Sequence, residues 1–429
     1  MHIYFSGIGG TGIGPLALIA KQAGYDVSGS DASNSQYVEY LSSKGINIFI
    51  GQNEQTIEGV NRSNPINWFV YSSALKPDHP ELTYCQQNNI KATKRDELIN
   101  QILADKNLKM IAVAGTHGKT TTTAMAIWLF KQLGMTISYS VGAKLSFADM
   151  GAYEAGSEYF IYEADEFDRN FLAFKPYLSL ITGIDWDHPD IYPTQDEYNQ
   201  AFSEFIGQSS NAVGWEDDFK KLNLPIADNL LSLDKSKENI KSITLAGAVN
   251  RQNAFLVAAG ISKMMNLSVD EMIDHLNKFP GLSRRFEELS PGLYTDYAHT
   301  PPKIAGALQL AQEVAGDSVV VVYEGLHNTR QHFIAKQLRD LFSNVKQLYI
   351  VPSYLARENQ SLKLLSPADL KSLLSHDTQV KTEPLLLNNE LKSRIDKHLA
   401  SGDLVLCLSA GGSGSLDEWL RQNYQSPKD

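Results

Sequence analysis

The chain has 429 residues, which is too long for one ordinary hydrophobic core and predicts about three domains. Its hydrophobic content of 43% and charged content of 20% are typical of a globular protein. The formal net charge of −11 disfavours a nucleic-acid partner. Two cysteines, Cys85 and Cys407, are too few for a disulfide framework or a zinc cluster, and we expect buried thiols.

Neither a secretory leader nor a membrane anchor is visible in the sequence. The N-terminus lacks a basic stretch followed by an apolar core, and no apolar run reaches the roughly 18 residues that span a bilayer. We therefore expect a cytoplasmic protein without membrane insertion.

Short apolar runs alternate with helical stretches along the whole chain. The helices are expected near residues 15–24, 120–134, 251–265 and 301–316. The strands are expected near residues 2–7, 26–31, 46–51, 67–73, 109–115, 159–165, 178–187, 293–300, 318–325, 347–353 and 403–412. This alternation predicts an α/β protein with parallel sheets covered by helices, and we expect domain boundaries near residues 105 and 288.

The strongest site signal is AGTHGKTTTTA at residues 114–124. A buried strand ends there, two glycines turn the chain, and Lys119 and Thr120 open a helix whose amides and dipole attract an anion. Lys119 can reach the outer phosphates of a nucleotide, and the Thr120 hydroxyl can bind Mg²⁺. The usual pattern has a glycine five residues before Gly118, where this chain has Val113. A tight turn without a ligand is the alternative, but it does not explain why all these features occur together.

Acidic residues follow two later strands. Glu163 begins the run EADEFD at 163–168, and His188 lies between Asp187 and Asp190 in DWDHPDIY at 185–192. Beside a phosphate-binding loop, such residues suit a divalent metal, and we expect Glu163 and His188 to be ligands. The alternatives are a solvated acidic turn and a structural histidine.

Other loops carry weaker signals. The run SGIGGTGIGP at 6–15 lets backbone approach a phosphate, and Asp31 ends the next strand, where an acid can bind a ribose or base. A dinucleotide oxidoreductase would carry such a loop too. Late in the chain, GLSRRFEEL (281–289), TDYAHTPP (295–302) and YEGLHNTRQ (323–331) contain basic and histidine side chains, although each could be an ordinary surface loop.

In this order, the segments resemble the Mur ligase family, and the resemblance covers nearly the whole chain. The family's ATP loop reads G-T-x-G-K-T, as residues 115–120 do, and its E-A-D-E, D-H-x-D and D-Y-A-H-x-P segments are all present. The resemblance implies a Rossmann-like domain at 1–105 for a UDP-sugar and a central P-loop ATPase-like domain at 106–288. A Rossmann-like C-terminal domain at 289–429 would bring the amino acid and close over the nucleotide.

The resemblance also assigns roles to individual residues. Those expected to bind ATP are Gly115, Thr116, His117, Gly118, Lys119, Thr120, Thr121, Asn250, Asn253, Arg285 and Asp296. Those expected to hold Mg²⁺ are Thr120, Glu163 and His188. Substrate contacts are expected from Gly9, Gly10, Thr11, Gly12, Asp31, Ser72, His299 and Arg330, and catalytic roles from Lys119, Glu163, His188 and Arg285.

The implied activity is an ATP-dependent ligation in peptidoglycan precursor synthesis. L-Alanine would be joined to the carboxylate of UDP-N-acetylmuramate through an acyl phosphate. The chain departs from the family at Val249, where a histidine is common, and in Gly325–Arg330, which has one arginine fewer and leaves the amine open. The alternatives are a murein-recycling ligase that attaches L-Ala-D-Glu-meso-diaminopimelate, an NAD-dependent dehydrogenase, and a non-catalytic nucleotide switch.

Overall fold

A computed structural model describes residues 1–72, 75–187, 191–224, 227–355 and 358–425. The chain divides into two compact units. The first comprises Met1–Thr244 and Arg251–Phe279, and the second comprises Leu245–Asn250 and Pro280–Asp429.

The first sheet of the first unit is parallel, with strand order β3-β2-β1-β4-β5. Its strands are β1 (His2–Ser6), β2 (Asp26–Asp31), β3 (Asn47–Ile50), β4 (Trp68–Tyr71) and β5 (Lys91–Lys94). The helices between and after them are α1 (Gly14–Gln22), α2 (Gln36–Ser43), α3 (Glu54–Ser63), α4 (Pro80–Gln87) and α5 (Arg95–Asp105). Every residue of β1 is buried, as expected for a central strand covered on both faces.

The second sheet of this unit has seven strands in the order β12-β11-β10-β6-β9-β7-β8, and β8 runs antiparallel to β7. The strands are β6 (Lys109–Ala114), β7 (Ser138–Ser140), β8 (Gly151–Ala152), β9 (Tyr159–Glu163), β10 (Leu178–Ile181), β11 (Ala212–Trp215) and β12 (Leu230–Leu233). The helices are α6 (Lys119–Gln132), α7 (Gln195–Gln208), α8 (Glu216–Lys221), α9 (Ala248–Met265) and α10 (Val269–Leu276), with short 3₁₀ turns at Phe167–Ala173 and Ile240–Ser242. Because β6 lies between β9 and β10 and runs parallel to both, the carboxyl ends of three strands meet at one edge.

One hydrophobic core joins the two sheets of the first unit. It includes Ile3 and Phe5 of the first sheet together with Ala112 and Phe160 of the second. Gly151 lies so close to helix α1 that a Cβ there would be 2.8 Å from the Pro15 Cβ. The shared core explains why two sheets form one compact unit.

The second unit contains a six-stranded sheet in the order β13-β14-β18-β15-β16-β17, in which only the β13–β14 pair of the described strands is antiparallel. The strands are β13 (Glu287–Ser290), β14 (Leu293–Asp296), β15 (Val319–Leu326), β16 (Gln347–Tyr354), β17 (Thr382–Pro384) and β18 (Leu404–Leu408). The helices are α11 (Pro301–Ala315), α12 (Asn328–Leu338), α13 (Pro367–Ser372), α14 (His376–Val380), α15 (Asn389–Ala400) and α16 (Leu416–Tyr424). Alternate valines of β15 enter separate cores on the two faces of this sheet.

The three sheets confirm the predicted α/β class, while the predicted boundaries near 105 and 288 stay predictions. Strand β5, with the sequence KATK, was not predicted because it has too few apolar residues. None of the helices within the described ranges has both the length and the apolar character that a bilayer crossing requires.

Candidate active site

The turn between β6 and α6 has the shape of a phosphate-binding loop. Gly115 and Gly118 have φ angles of 141° and 79°, which favour glycine. A Cβ on Gly115 would collide with the Thr182 hydroxyl and lie 2.9 Å from the Gly183 carbonyl oxygen. The loop therefore needs glycine for both its conformation and its packing.

Lys119, the first residue of α6, is paired with a buried acid. Its Nζ donates to the Gly115 carbonyl at 2.8 Å and to Glu166 Oε2 at 2.6 Å. Burial alone would lower the Lys119 pKa, but Glu166, Asp165 and Glu163 together raise it, so the ammonium stays charged. Glu166 is only 1% exposed, and burial raises its pKa against the opposing pull of Lys119.

Thr120 and Glu163 form an oxygen-rich pair beside this lysine. The Thr120 hydroxyl donates to Glu163 Oε1 at 2.8 Å, and the Gly142 amide donates to Glu163 Oε2 at 2.8 Å. A hydroxyl and a carboxylate fit a Mg²⁺ ion that also takes phosphate oxygens. The described residues include no cluster of three His, Cys, Asp or Glu that could hold a metal alone. The predicted ligand His188 lies outside the described residues.

Thr116 stabilises the loop from inside. It is buried, and its hydroxyl donates to the Asp185 carbonyl at 2.6 Å and lies 2.7 Å from the Tyr198 hydroxyl. Its amide donates to Gly183 at 2.8 Å. These bonds tie the loop to the end of β10, so the Thr116 side chain positions the loop.

The remaining predicted ATP residues of this unit lie around the same loop. The His117 Nε2 is 4.0 Å from Asp185 Oδ2, and Thr121 is half-buried in the first turn of α6. Asn253 is buried, and its amide is so close to Gly118 that a Cβ there would lie 2.9 Å from Nδ2. The structure therefore brings Asn253 to the phosphate loop, and an adenine contact stays a prediction.

The predicted sugar-nucleotide residues line a second feature of this unit, which we call the glycine-loop cavity. Its volume is about 280 Å³. Its lining residues are Gly7, Gly10, Thr11, Gly12, Ile13, Tyr71, Ser72, Lys94, Arg95, Asp165, Phe167 and Asn170. The other two predicted residues bind each other, since the Gly9 amide donates to Asp31 Oδ2 at 2.8 Å. The glycine loop, Asp31 and Ser72 thus lie in one region of the first unit, and their contacts with a substrate stay predictions.

Sequence reasoning missed a basic pair in this cavity. Lys94 ends β5 and donates to Asp168 Oδ2 at 2.6 Å, whereas Arg95 begins α5 and lies 4.0 Å from Asp165 Oδ2. The two cations are adjacent in the sequence TKRDE, at the end of a short polar strand, and this adjacency is the signal from which they could have been found. Both acids belong to residues 163–168, the acidic segment, which therefore contacts the cavity as well as the phosphate loop.

A buried carboxylate below the glycine loop was missed too. Glu81 is fully buried and accepts hydrogen bonds from Ser6 (2.6 Å), Ser30 (2.6 Å) and Tyr4 (3.0 Å). Ser6 directly precedes the glycines, and the Gly7 amide donates to the Ser30 carbonyl at 2.9 Å. Glu81 therefore stabilises the ends of β1 and β2 from which the loop departs.

Comparison with known proteins identifies this arrangement. Residues 2–107 match the Mur ligase family catalytic domain, and residues 113–252 match the Mur ligase middle domain. A UDP-N-acetylmuramate--L-alanine ligase from Clostridium beijerinckii is 31% identical over 448 residues, covering 95% of each chain. The chain belongs to the Mur ligase family. A ligase of the same name from Fusobacterium nucleatum is also 31% identical, over 87% of each chain.

Solved structures share the fold of this Mur ligase. A UDP-N-acetylmuramate-alanine ligase from Thermotoga maritima gives a TM-score of 0.74 at 22% identity, covering 98% of each chain. A murein peptide ligase from Psychrobacter arcticus gives a TM-score of 0.62 at 21% identity, covering 96% of each chain. The likeness extends over all three sheets.

In the second unit of this Mur ligase, Asp296 is held at the end of β14. Its carboxylate accepts from the amides of Phe286 (2.8 Å) and Ala298 (2.7 Å), and burial raises its pKa against the pull of Arg285. Arg285 lies over the Tyr297 ring, 5.1 Å from its centroid. Their proposed contacts with ATP stay predictions, as does that of Asn250, whose amide donates to the Ala246 carbonyl at 2.9 Å.

The two predicted substrate residues of the second unit, His299 and Arg330, interact electrostatically. His299 is buried with Nδ1 2.8 Å from the Tyr297 carbonyl, and burial, Lys303 and Arg330 lower its pKa to about 3. His299 is therefore neutral at physiological pH, and Arg330 supplies the positive charge nearby. Such a pair suits a carboxylate ligand, which would bind the guanidinium.

The loop with one arginine fewer is tied to an acid that the sequence did not indicate. The Thr329 amide donates to Glu358 Oε2 at 3.0 Å, and His327 Nδ1 lies 3.5 Å from Glu358 Oε1. His327 has a φ of 55°, which is uncommon for a residue with a side chain. The contacts with Glu358 make this loop less basic than its sequence suggests.

Proposed function

We propose that this Mur ligase joins L-alanine to the carboxylate of UDP-N-acetylmuramate at the expense of ATP, as an enzyme of peptidoglycan precursor synthesis. The observation that carries the proposal is the charged Lys119 at the start of α6, with the Thr120–Glu163 pair beside it. The relatives that match nearly the whole chain carry the same activity in their names. ATP consumption is consistent with a cytoplasmic location.

The chemistry requires an activated carboxylate, because the oxygen of an unactivated carboxylate is a poor leaving group when an amine attacks the carbonyl carbon. Transfer of the γ-phosphoryl group of ATP to a carboxylate oxygen gives ADP and an acyl phosphate. The amine nitrogen then attacks the carbonyl carbon, the carbon–oxygen bond to phosphate breaks, and the nitrogen loses a proton. The products are the amide, ADP and phosphate.

The protein contributes positioning and positive charge. Lys119 would neutralise charge on the outer phosphates, where a fixed cation stabilises the transition state. Thr120 and Glu163 would hold Mg²⁺, with His188 as a further proposed ligand, and the ion would supply additional charge neutralisation when bound. Gly9, Gly10, Thr11, Gly12, Asp31 and Ser72 would bind the sugar nucleotide.

The amine is the finer part of the proposal. Arg330 would bind the carboxylate of L-alanine, and neutral His299 would line the same site. The loop Gly325–Arg330 favours a second candidate, a ligase for L-Ala-D-Glu-meso-diaminopimelate, because it has one arginine fewer than the family pattern. The names of the relatives favour L-alanine.

The test is ADP release with ATP, Mg²⁺ and UDP-N-acetylmuramate against a panel of amines. We expect release that depends on L-alanine and stops when EDTA removes Mg²⁺. Release with the tripeptide alone would establish the second candidate. A folded protein that binds ATP but releases no ADP with any amine would contradict both and favour a nucleotide switch.

A further inference from the structure

Arg95 presents an unsatisfied guanidinium to the glycine-loop cavity. Its side chain is 24% exposed, and its nearest acid, Asp165, is 4.0 Å away. Within the described ranges, the structure gives this guanidinium no hydrogen bond, although it carries five donors. Lys94 beside it is engaged, since it donates to Asp168 at 2.6 Å. Arg95 is therefore the cation of this cavity that can receive an anion.

The glycine at position 12 makes room for this guanidinium. A Cβ on Gly12 would collide with Arg95 Nη1. Gly12 is absent from the residues with positive φ, so its conformation alone does not require glycine. The packing against Arg95 supplies the reason for a glycine here, and it fixes the guanidinium against the loop.

The loop itself adds donors to the same side of the cavity. Among the described contacts, the backbone amides of Thr11 and Gly12 donate no hydrogen bond, whereas the amides of Gly9 and Gly10 are bound to Asp31 and Gly7. Arginine and free backbone amides together suit the oxygens of a phosphate group, which accept hydrogen bonds from both kinds of donor. A cavity of about 280 Å³ has room for such a group.

We propose that Arg95 binds the diphosphate of the uridine nucleotide, together with the Thr11 and Gly12 amides. This inference rests on the proposed function, which places the sugar nucleotide at the glycine loop. The diphosphate is the ligand group with the highest charge density, so it gains most from a guanidinium whose nearest carboxylate, among the residues that the structure describes, is 4.0 Å away.

The test compares ligands that differ only in the diphosphate. The affinities of UDP, uridine and inorganic pyrophosphate are measured by calorimetry at one ionic strength for wild type, Arg95→Ala and Lys91→Ala. Lys91 is the matched control, because it is a cation of strand β5, directly before the helix that Arg95 begins. Its Nζ lies 3.3 Å from the Trp68 ring centroid, and it does not line the cavity. Thermal melting checks that each variant folds.

We expect Arg95→Ala to weaken UDP binding about tenfold to a hundredfold while uridine binding changes less than about twofold. Lys91→Ala should bind all ligands as wild type does. Gly12→Ala serves as a second variant that keeps the arginine but displaces it, and it should show the same selective loss of UDP affinity.

Four results separate the possible failures. Unchanged UDP affinity in folded Arg95→Ala, or equal losses for UDP and uridine, would overturn the role of Arg95 and leave the ligase activity standing. Arg95-dependent pyrophosphate binding without any preference for UDP would keep the anion site and contradict the uridine assignment. Wild-type protein that binds neither UDP nor pyrophosphate would contradict both proposals.

Discussion

The two glycine-containing loops of the first unit occupy equivalent places and treat their cations in opposite ways. The glycine loop follows β1 and the phosphate loop follows β6, and each of these strands lies in the interior of its sheet with a neighbouring strand on either side. Ligands of α/β sheets bind at the carboxyl ends of such strands. Lys119 at the phosphate loop is held by Glu166 at 2.6 Å, whereas the ion pair that Arg95 makes at the glycine loop, with Asp165 of the described residues, is 4.0 Å long. If the proposed ligands bind as inferred, a nucleoside triphosphate competes with an internal carboxylate for Lys119, while a sugar nucleotide meets a cation that is more weakly held.

The acidic segment connects the two loops. Glu163 and Glu166 bind residues of the phosphate loop, whereas Asp165 and Asp168 face the basic pair of the cavity. Asp168 has φ 55° and ψ 23°, a left-handed conformation that costs roughly 1–2 kcal/mol outside glycine. The segment thus accepts strain to present its acids in two directions, and substitutions in it must be measured at both loops.

The largest expected effect separates the two loops by function. Lys119→Ala removes the positive charge that would neutralise the transferring phosphoryl group, and it should lower kcat by on the order of 10²–10³-fold. The affinity for UDP-N-acetylmuramate should stay within about twofold, because the glycine loop belongs to another sheet. ADP-release assays measure kcat, and calorimetry measures the affinity for UDP-N-acetylmuramate.

Lys131→Ala is the control for Lys119→Ala, since Lys131 lies in the last turn of the same helix and should leave both quantities unchanged. Normal ADP release by folded Lys119→Ala would refute the assignment of the phosphate loop.

The second prediction concerns the support of the glycine loop. Glu81→Gln replaces a carboxylate that three hydroxyls bind, which disturbs Ser6 and Ser30 at the loop's base. We expect about a tenfold rise in KM for UDP-N-acetylmuramate, with kcat and the KM for ATP nearly unchanged. Thr93→Val removes another buried hydrogen bond of this sheet, to Trp68 at 2.7 Å, and should not change either KM. Equal changes in both KM values would indicate a general loss of structure.

The sequence predicts the strand, turn and helix around Lys119 correctly because all the signals for them are local. The strand, the two glycines, Lys119 and Thr120 are consecutive, and the structure has the expected strand, turn and helix. The α/β class was predictable for the same reason, because apolar strand-like runs alternate with helical stretches along the chain. Glu163 was selected from the acidic segment, and the structure places it against Thr120.

The partners from distant positions could not be predicted in this way. Glu166 lies 47 residues after Lys119, and Glu81 lies 75 residues after Ser6, so neither pairing leaves a trace in local spacing. Strand β5 is short and polar, and without it nothing placed Arg95 beside Gly12. Such contacts follow from strand order, which alternation alone does not determine.

The third prediction tests whether Glu166 competes with ATP. Glu166→Gln removes the charge that holds Lys119, and the remaining neutral hydrogen bond is weaker. We expect ATP to bind about threefold to tenfold more tightly, as measured by equilibrium dialysis. Glu158→Gln is the control, because Glu158 precedes β9 and pairs with Lys109 at 2.8 Å at the opposite end of that strand. Weaker ATP binding by Glu166→Gln would mean that Glu166 assists the nucleotide.

The smallest expected effect is a pH dependence at one loop only. Burial raises the pKa of Glu166, so this acid takes up a proton at a higher pH than an ordinary glutamate does. The charged form destabilises the fold at neutral pH, and this cost decreases as the pH falls. Neutral Glu166 no longer competes for Lys119, so the advantage of Glu166→Gln in ATP affinity should shrink as the pH falls below 7.

The ratio of the two ATP affinities is the quantity to measure, because protonation of ATP itself affects wild type and variant alike. Arg95 keeps its proton at every pH in this range, so the ratio of UDP affinities between wild type and Arg95→Ala should stay constant. The opposite result would contradict this assignment. If the ratio of UDP affinities changed with pH while the ratio of ATP affinities stayed constant, the titrating acid that competes with the ligand would lie beside Arg95.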